Sequence, residues 1–250
     1  MEADDRAAVI EPRKGKKEAP LPPSALLVFT PLDLELFLHR FPQSPPRKIH
    51  KLYLSDIYIT TADGIPLALS GPFLGAPQTV MVLERLIALG VRNVMAFGWC
   101  GSLRPDVRIG DVVIPMDAVC EEGTSAHYPL PDGAPPAGPP PEWLRALTGA
   151  FEAEGLTVHQ GLVWTTDAPF RETRGKVAAY GHQGVLGVEM ETSAIFTVAR
   201  YRGIHLAVVL MVSDELHTLT WVHGFREERF RSNRKTVAEL TLRTFTALVA

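Results

Sequence analysis

Short apolar runs that suit buried β-strands alternate along this 250-residue chain with segments of helical pattern. The predicted strands include residues 25–29, 93–97, 156–164 and 206–212, and the predicted helices include 32–41, 79–89, 141–154, 171–180 and 225–249. Such alternation predicts an α/β protein, built as a single-domain three-layer sandwich in which a mixed central sheet is flanked by helices. A chain of this length is long enough to give one such domain a full core.

Three segments are predicted to lie outside the regular alternation. Residues 1–23 are charged and then proline-rich, which predicts a disordered tail and leaves 24–250 as the folded domain. Residues 52–59 and 65–70 predict a β-hairpin around a turn at Gly64. Residues 129–141 contain seven prolines and predict a surface loop.

Composition and charge argue against several classes of function. The net charge is −3 and no basic stripe is present, which does not favour a nucleic-acid partner. The apolar runs are broken well short of a membrane span, and the charged N-terminus lacks the apolar core of a signal peptide. The two cysteines, Cys100 and Cys120, give neither a disulfide framework nor metal-ligand spacing. We therefore predict a cytoplasmic protein with no membrane partner, no metal and no cofactor.

Three carboxylates mark the ends of two predicted strands. Glu189 and Glu191 lie at a strand-to-helix junction, and Asp214 follows the strand 206–212. Polar groups at strand ends of an α/β sheet face the crevice where ligands bind. Three acidic groups around one crevice suit a ligand with vicinal hydroxyls and a leaving group that needs a proton. A nucleoside has both features.

The motifs around these residues resemble those of the nucleoside phosphorylase family, which includes purine nucleoside phosphorylases, uridine phosphorylases and methylthioadenosine nucleosidases. The resemblance extends over roughly residues 65–216. Its matching segments are Phe97–Leu103 and Ile109–Pro115 (a glycine loop and the following strand), Glu122–Tyr128, Thr165–Phe170 (a base-site loop), Gly187–Glu191 and Val212–Asp214. The resemblance implies a pentosyltransferase that acts on a nucleoside with phosphate as co-substrate. It also implies a homo-oligomer, either a dimer or a hexamer built from dimers.

The resemblance assigns roles to the acidic residues. Glu191 would bind the ribose hydroxyls and stabilise positive charge on the sugar, with Glu189 beside it and Met190 packed against the sugar. The alternative for Glu191 is capping of the following helix. Asp214 would protonate or hydrogen-bond N7 of a departing purine, and Ser213 would bond either the substrate or the turn. The alternative for Asp214 is capping of the turn after the strand.

Other residues would surround the base and the sugar. The base-site loop supplies Thr166, and Trp164 with Phe170 would form an aromatic slot for the base, although both rings could instead belong to the core. His127 is a candidate for the 5′ end of the sugar or for a turn. Arg171 is a candidate cation beside the base, or a solvated surface charge.

The anion site departs from the family pattern. Gly98, Trp99, Cys100 and Gly101 form the predicted anion loop. However, Ala96 stands where the family has a phosphate-binding arginine, Trp99 replaces a hydroxyl residue, and Phe29–Asp33 replaces a segment with a second arginine. The missing cations weaken the case for phosphate, with Arg47, Lys51, Arg104 and Arg171 as possible substitutes. Three readings therefore stay open: a phosphorylase, a nucleosidase that uses water, and a ligand-binding member without turnover.

Overall fold

The computed structural model describes residues 8–39, 44–130 and 132–250. The strands are β1 (Ser24–Val28), β2 (Arg47–Leu52), β3 (Ser55–Ala62), β4 (Ile65–Gly71), β5 (Asn93–Ser102), β6 (Val112–Glu121), β7 (Val158–Thr166), β8 (Gly187–Glu189), β9 (His205–Glu215) and β10 (Val222–His223). The α-helices are α1 (Pro31–His39), α2 (Ala76–Ala88), α3 (Pro141–Ala153), α4 (Arg174–His182), α5 (Thr192–Arg202) and α6 (Glu228–Val249).

The strands described here join in one mixed sheet in the order β10-β9-β6-β7-β8-β5-β1-β4-β3-β2. Strand β5 also pairs in parallel with β9, from Asn93 opposite His205 to Ser102 opposite Glu215. Strands β5, β9, β6, β7 and β8 therefore close into a ring, and β1, β4, β3 and β2 extend from it. Both parallel and antiparallel pairs occur, which confirms the predicted mixed sheet.

Helices cover both faces of this sheet. Side chains of α2 and α5, such as Leu83 and Ile195, pack on one face together with Val94 and Ala96 of β5. Side chains of α1, α3 and α6 pack on the other face, where they meet the alternate β5 residue Phe97. Successive strand residues thus enter different cores because strand side chains alternate in direction. The predicted three-layer α/β sandwich is confirmed.

The first part of the chain differs from its prediction in two places. Residues 8–23 make specific contacts with the body: Leu21 is buried and its N–H donates to the carbonyl of Leu89 at 2.9 Å. Residues 1–7 of the predicted disordered tail lie outside the described residues, as do the last two residues of the predicted helix 32–41. A third strand, β2, extends the predicted hairpin. It was not predicted because its charged residues obscure the alternation of apolar and polar residues that indicates a strand. Such charges are common on edge strands.

The predicted anion loop is not a loop. Residues 98–101 continue β5, where Gly98 pairs with Leu210 and Gly101 pairs with Val188. A Cβ at Gly98 would lie 2.3 Å from the Phe29 ring, and a Cβ at Gly101 would lie 2.8 Å from the Asp214 carboxylate. These glycines therefore allow close packing across the strand rather than wrapping around an anion.

Candidate active site

A cavity of about 480 Å³ opens where the ends of β5, β8 and β9 meet. Its lining residues come from these strands and from the segments that follow β7 and β9: Trp99, Cys100, Gly101, Pro169, Phe170, Glu172, Val188, Glu189, Met190, Ser213, Asp214, Leu216 and Trp221. Eight of the residues predicted for the site, from Trp99 to Asp214, are among them. The position at strand ends is the one expected for a ligand site in an α/β sheet.

Asp214 is held by donors on both carboxylate oxygens. Oδ1 accepts the Ser213 hydroxyl at 2.6 Å, and Oδ2 accepts the Trp221 indole N–H at 2.9 Å. Burial raises the pKa of Asp214 above its usual value, and these two hydrogen bonds oppose that rise. Asp214 lies within β9 and bonds no backbone N–H of a following turn, so the turn-capping alternative is not supported. A carboxyl group with a raised pKa that faces a cavity is suited to donate a proton.

Glu172 is another carboxyl group in the same cavity, and no sequence motif predicted its role there. It follows a short 3-10 turn at Pro169–Arg171 and is partly buried. Its carboxyl group has no hydrogen-bond or ion-pair partner among the described residues. Burial, and then the charge of Asp214, raises the pKa of Glu172 to about 7. Near neutral pH this group therefore exists in both protonation states.

Glu189 lines the cavity and also caps α5. Its Oε2 accepts the backbone N–H groups of Glu191 at 2.8 Å and Thr192 at 2.7 Å, and its Oε1 accepts the Thr165 hydroxyl. Burial raises the pKa of Glu189. The helix-capping role considered for Glu191 thus belongs to Glu189 instead.

Glu191 occupies the position before α5 but makes no capping bond with its side chain. Its Oε1 accepts a hydrogen bond from the N–H of Gly75 at 2.6 Å, and Gly75 is the residue that precedes α2. Glu191 is buried and is not among the residues that line the cavity. Burial, followed by the charge of Glu189, raises the pKa of Glu191 to about 8. Its predicted role at the ribose stays a prediction.

Apolar and internally paired groups occupy the region of the predicted phosphate site. Ala96 is fully buried, and Trp99 forms a wall of the cavity. Asp33, at the position of the family's second phosphate arginine, is fully buried and accepts the Arg234 guanidinium at 2.7 Å. That guanidinium also lies 6.0 Å from the Trp99 ring centroid. Within the described ranges no lysine, arginine or histidine lines the cavity, and its charged groups are all carboxyls.

The remaining predicted site residues lie elsewhere. Trp164 is fully buried, donates from Nε1 to Glu121 at 3.1 Å and packs 4.9 Å from the Tyr180 ring, so it is a core residue. Thr166 stabilises its own turn by accepting the N–H of Ala168 at 3.2 Å. His127 lines a different cavity, and Arg171 is exposed on the surface.

Among the proposed substitute cations, Arg104 pairs with Asp106 at 2.8 Å. Arg47 and Lys51 lie on the exposed edge strand β2. The aromatic residue predicted for the base, Phe170, stands at the cavity rim with its side chain fully exposed. Trp221 and Leu216, which the sequence pattern did not single out, also line the cavity.

A family model described as the phosphorylase superfamily matches residues 23–249. The chain belongs to this family. A curated relative, the guanosine phosphorylase of Halorubrum lacusprofundi, is 29% identical over 195 residues, which is 74% of this chain and 78% of the relative. A DeoD-type purine nucleoside phosphorylase of Bacillus thuringiensis is 35% identical over 161 residues, or 63% of this chain and 67% of that protein. The predicted family resemblance is confirmed.

Solved structures show the same fold in other phosphorylases. Uridine phosphorylase from Vibrio fischeri has a TM-score of 0.80 and 20% identity, covering 93% of this chain and 100% of the other. Purine nucleoside phosphorylase from Toxoplasma gondii, solved with immucillin-H, has a TM-score of 0.78 and 21% identity, covering 91% and 92%. Among the described residues, no helix has the length and hydropathy needed to span a bilayer, and no three potential metal ligands cluster.

Proposed function

We propose that this phosphorylase superfamily member is a pentosyltransferase that cleaves the N-glycosidic bond of a purine nucleoside, with phosphate as acceptor. The observation that carries the proposal is Asp214, a carboxyl group with a raised pKa in a cavity at the strand ends. The names of the curated relatives, guanosine phosphorylase and purine nucleoside phosphorylase, support the choice of a purine.

In the proposed reaction, a phosphate oxygen bonds to the anomeric carbon as the bond from that carbon to the base nitrogen breaks. The electron pair of the broken bond passes into the purine, and the Asp214 carboxyl donates its proton to N7. General acid assistance of this kind is typically worth ~10²–10⁴ in rate. The products are the free base and a pentose 1-phosphate, and Asp214 is left as a carboxylate.

The sugar would lie against Glu189 and Met190, the two cavity residues of the β8–α5 junction. The buried carboxyl group of Glu189 would lie close to the sugar ring, where positive charge develops as the glycosidic bond breaks. Glu191, whose Oε1 is bonded to Gly75, retains lone pairs that suit the ribose hydroxyls. We therefore propose that Glu189 and Glu191 both belong to the sugar site.

The decisive experiment is to incubate a nucleoside panel with and without phosphate, and to measure free base and pentose 1-phosphate. We expect purine nucleosides to yield both products only when phosphate is present. The Asp214→Asn variant should lose at least about 10²-fold in rate on ordinary purine nucleosides. It should retain its rate on an N7-methylated purine nucleoside, whose leaving base needs no proton. Release of base without phosphate, or an equal loss on both substrates, would contradict the proposal.

We also propose that the chain forms a homo-oligomer and works in the cytoplasm. The open cavity, with Phe170 fully exposed at its rim, supports a neighbouring subunit that covers this edge. Both cysteines are free thiols, which suits a reducing compartment. Light scattering at micromolar concentration should report a dimer or a hexamer, and a monomer would argue against the assembly.

A further inference from the structure

Trp221 combines two properties that rarely occur together. Its side chain is 61% exposed, yet its one polar atom donates to the partly buried carboxylate of Asp214 at 2.9 Å. The indole N–H can only donate, so it bonds an ionised carboxylate more strongly than a protonated one. The Trp221 side chain also lines the cavity, together with Phe170 and Pro169.

The segment that carries Trp221 is fixed to the sheet rather than loose. Strand β10 pairs with the end of β9, with His223 opposite Asp214. The N–H of Gly224 donates to the carbonyl of Ser213 at 2.8 Å. Within the segment, the His223 and Phe225 rings stack at 5.7 Å, and Phe225 lies 5.9 Å from the Trp99 ring. This aromatic row holds the Trp221 indole in a defined position beside Asp214.

We propose that Trp221 is a positioning residue for the acid Asp214, and that its exposed ring face is a stacking surface for the purine. The inference rests on the proposed function. When the Asp214 carboxyl donates its proton to N7, the negative charge that remains on the carboxylate is stabilised by the Trp221 N–H on Oδ2 and by the Ser213 hydroxyl on Oδ1. The same indole bond fixes the direction in which the carboxyl group faces the base.

Other titratable groups lie around Asp214 and bear on the protonation of its carboxyl group. The charge of Asp214 raises the pKa of Glu172, which comes from the segment after β7, while His223 of β10 lowers the pKa of Asp214. The buried Cys100 thiol of β5 also faces Asp214, and burial raises the pKa of this thiol well above its usual range, so it stays neutral. Trp221 and Ser213 are the groups that bond the carboxylate directly.

The test is Trp221→Phe, which keeps an aromatic ring and removes the N–H donor. On an ordinary purine nucleoside we expect kcat to fall about 10-fold or more, equivalent to at least ~1.4 kcal/mol of transition-state stabilisation. On an N7-methylated purine nucleoside we expect no change in kcat. In the wild type the Trp221 hydrogen bond lowers the pKa of Asp214, so its removal should raise that pKa. The descending alkaline limb of the pH–rate profile should therefore move to higher pH. Trp221→Leu should in addition raise KM for both substrates, because the stacking face is gone.

Val222→Ala provides the matched control, because Val222 is an exposed neighbour on β10 that does not line the cavity. Its kinetics and pH profile should match those of the wild type. Equal losses of Trp221→Phe on the two substrates, or an unshifted alkaline limb, would overturn the proposal while leaving the role of Asp214 intact. A failure of the proposed function is recognised separately, because Asp214→Asn would then not discriminate between the substrates.

Discussion

Glu189 and Glu191 lie two residues apart, yet the structure gives their carboxylates different surroundings. Glu189 binds the first N–H groups of α5 and borders the cavity, whereas Glu191 binds Gly75 ahead of α2. Burial raises the pKa of both groups, and mutual repulsion contributes at Glu191. Two buried carboxyls so close together do not ionise independently. A change at either residue therefore alters the charge state of its neighbour.

Replacement of Glu191 by glutamine tests the sugar site. We expect turnover of any accepted nucleoside to fall by at least ~10²-fold, because the positively charged sugar of the transition state favours the ionised form of Glu191 and glutamine cannot ionise. Glutamine retains an oxygen acceptor for the Gly75 N–H, so the fold should survive. Steady-state kinetics, with circular dichroism as the folding check, measure this. Wild-type rates in the folded variant would exclude Glu191 from the sugar site.

Glu172 makes a separate prediction about stability. Its folded pKa of about 7 exceeds the ordinary value of 4.5, so the folded state binds more protons than the unfolded state between these two pH values. Glu172 therefore lowers the free energy of unfolding as pH rises from about 4.5 to 7, after which its effect is constant. Removing the charge with Glu172→Gln should make the protein relatively more stable at pH 8 than at pH 5. After discounting for solvent screening, we expect a change on the order of 1 kcal/mol.

Urea unfolding of both proteins at pH 5 and pH 8 measures this difference. Glu191 titrates in both proteins, so its contribution cancels to first order when the variant is compared with the wild type. A contrary result is that the two proteins differ in unfolding free energy by the same amount at pH 5 and at pH 8. That result would show that ionisation of Glu172 does not destabilise the folded state.

At the scale of elements, the alternation of apolar runs was enough to predict the α/β sandwich and most helices. It failed at residues 98–101, because two glycines in four residues are typical of a loop, whereas here they make room for Phe29 and Asp214 across the strand. The site was predicted through Asp214, Ser213 and Glu189. Local spacing could not show which of the two glutamates caps α5. It also could not bring Glu172 and Trp221 to Asp214, because these contacts depend on the path of two connecting segments.

The close approach at Gly98 gives a prediction for β5. In Gly98→Ala the new methyl group would lie 2.3 Å from a carbon of the Phe29 ring, which is itself buried. Overpacking of this kind typically costs about 1–3 kcal/mol of stability. Adding Phe29→Leu should recover part of the loss. Gly175→Ala is the matched control, since no atom lies within 4 Å of the added carbon. Denaturant unfolding measures the stability of each variant. Equal stabilities of Gly98→Ala and Gly175→Ala would show that Gly98 is not needed for close packing against Phe29.

At the scale of the whole molecule, three elements converge behind the cavity wall. Asp33 of α1, Arg234 of α6 and Trp99 of β5 form a cluster on the side of the predicted phosphate site, and Asp33 is fully buried there. Breaking a buried ion pair by removing one partner is strongly destabilising, because an uncompensated charge remains. The cluster therefore ties the terminal helix to the sheet, and its arginine is already neutralised by Asp33.

This arrangement predicts weak binding of phosphate to the free protein. We expect a dissociation constant in the millimolar range or weaker, which corresponds to about −4 kcal/mol, and a KM for phosphate in the same range. Calorimetric titration of the protein with phosphate measures the first quantity, and initial rates at varied phosphate measure the second. A micromolar constant would show that another cation serves the anion, and Arg47, Lys51, Arg104 and Arg171 would then be mutated first.

The ring of β5, β9, β6, β7 and β8 has a consequence for how such a protein diversifies. Asp214 and Glu189 lie on strands β9 and β8, each of which pairs with a strand on both sides. The sheet therefore fixes the positions of these two residues. Glu172 and Phe170 instead come from the segment between β7 and α4, which can change in length and composition without disturbing that ring. The acidic residues are thus anchored by paired strands, whereas one wall of the cavity can be rebuilt by exchanging the segment between β7 and α4.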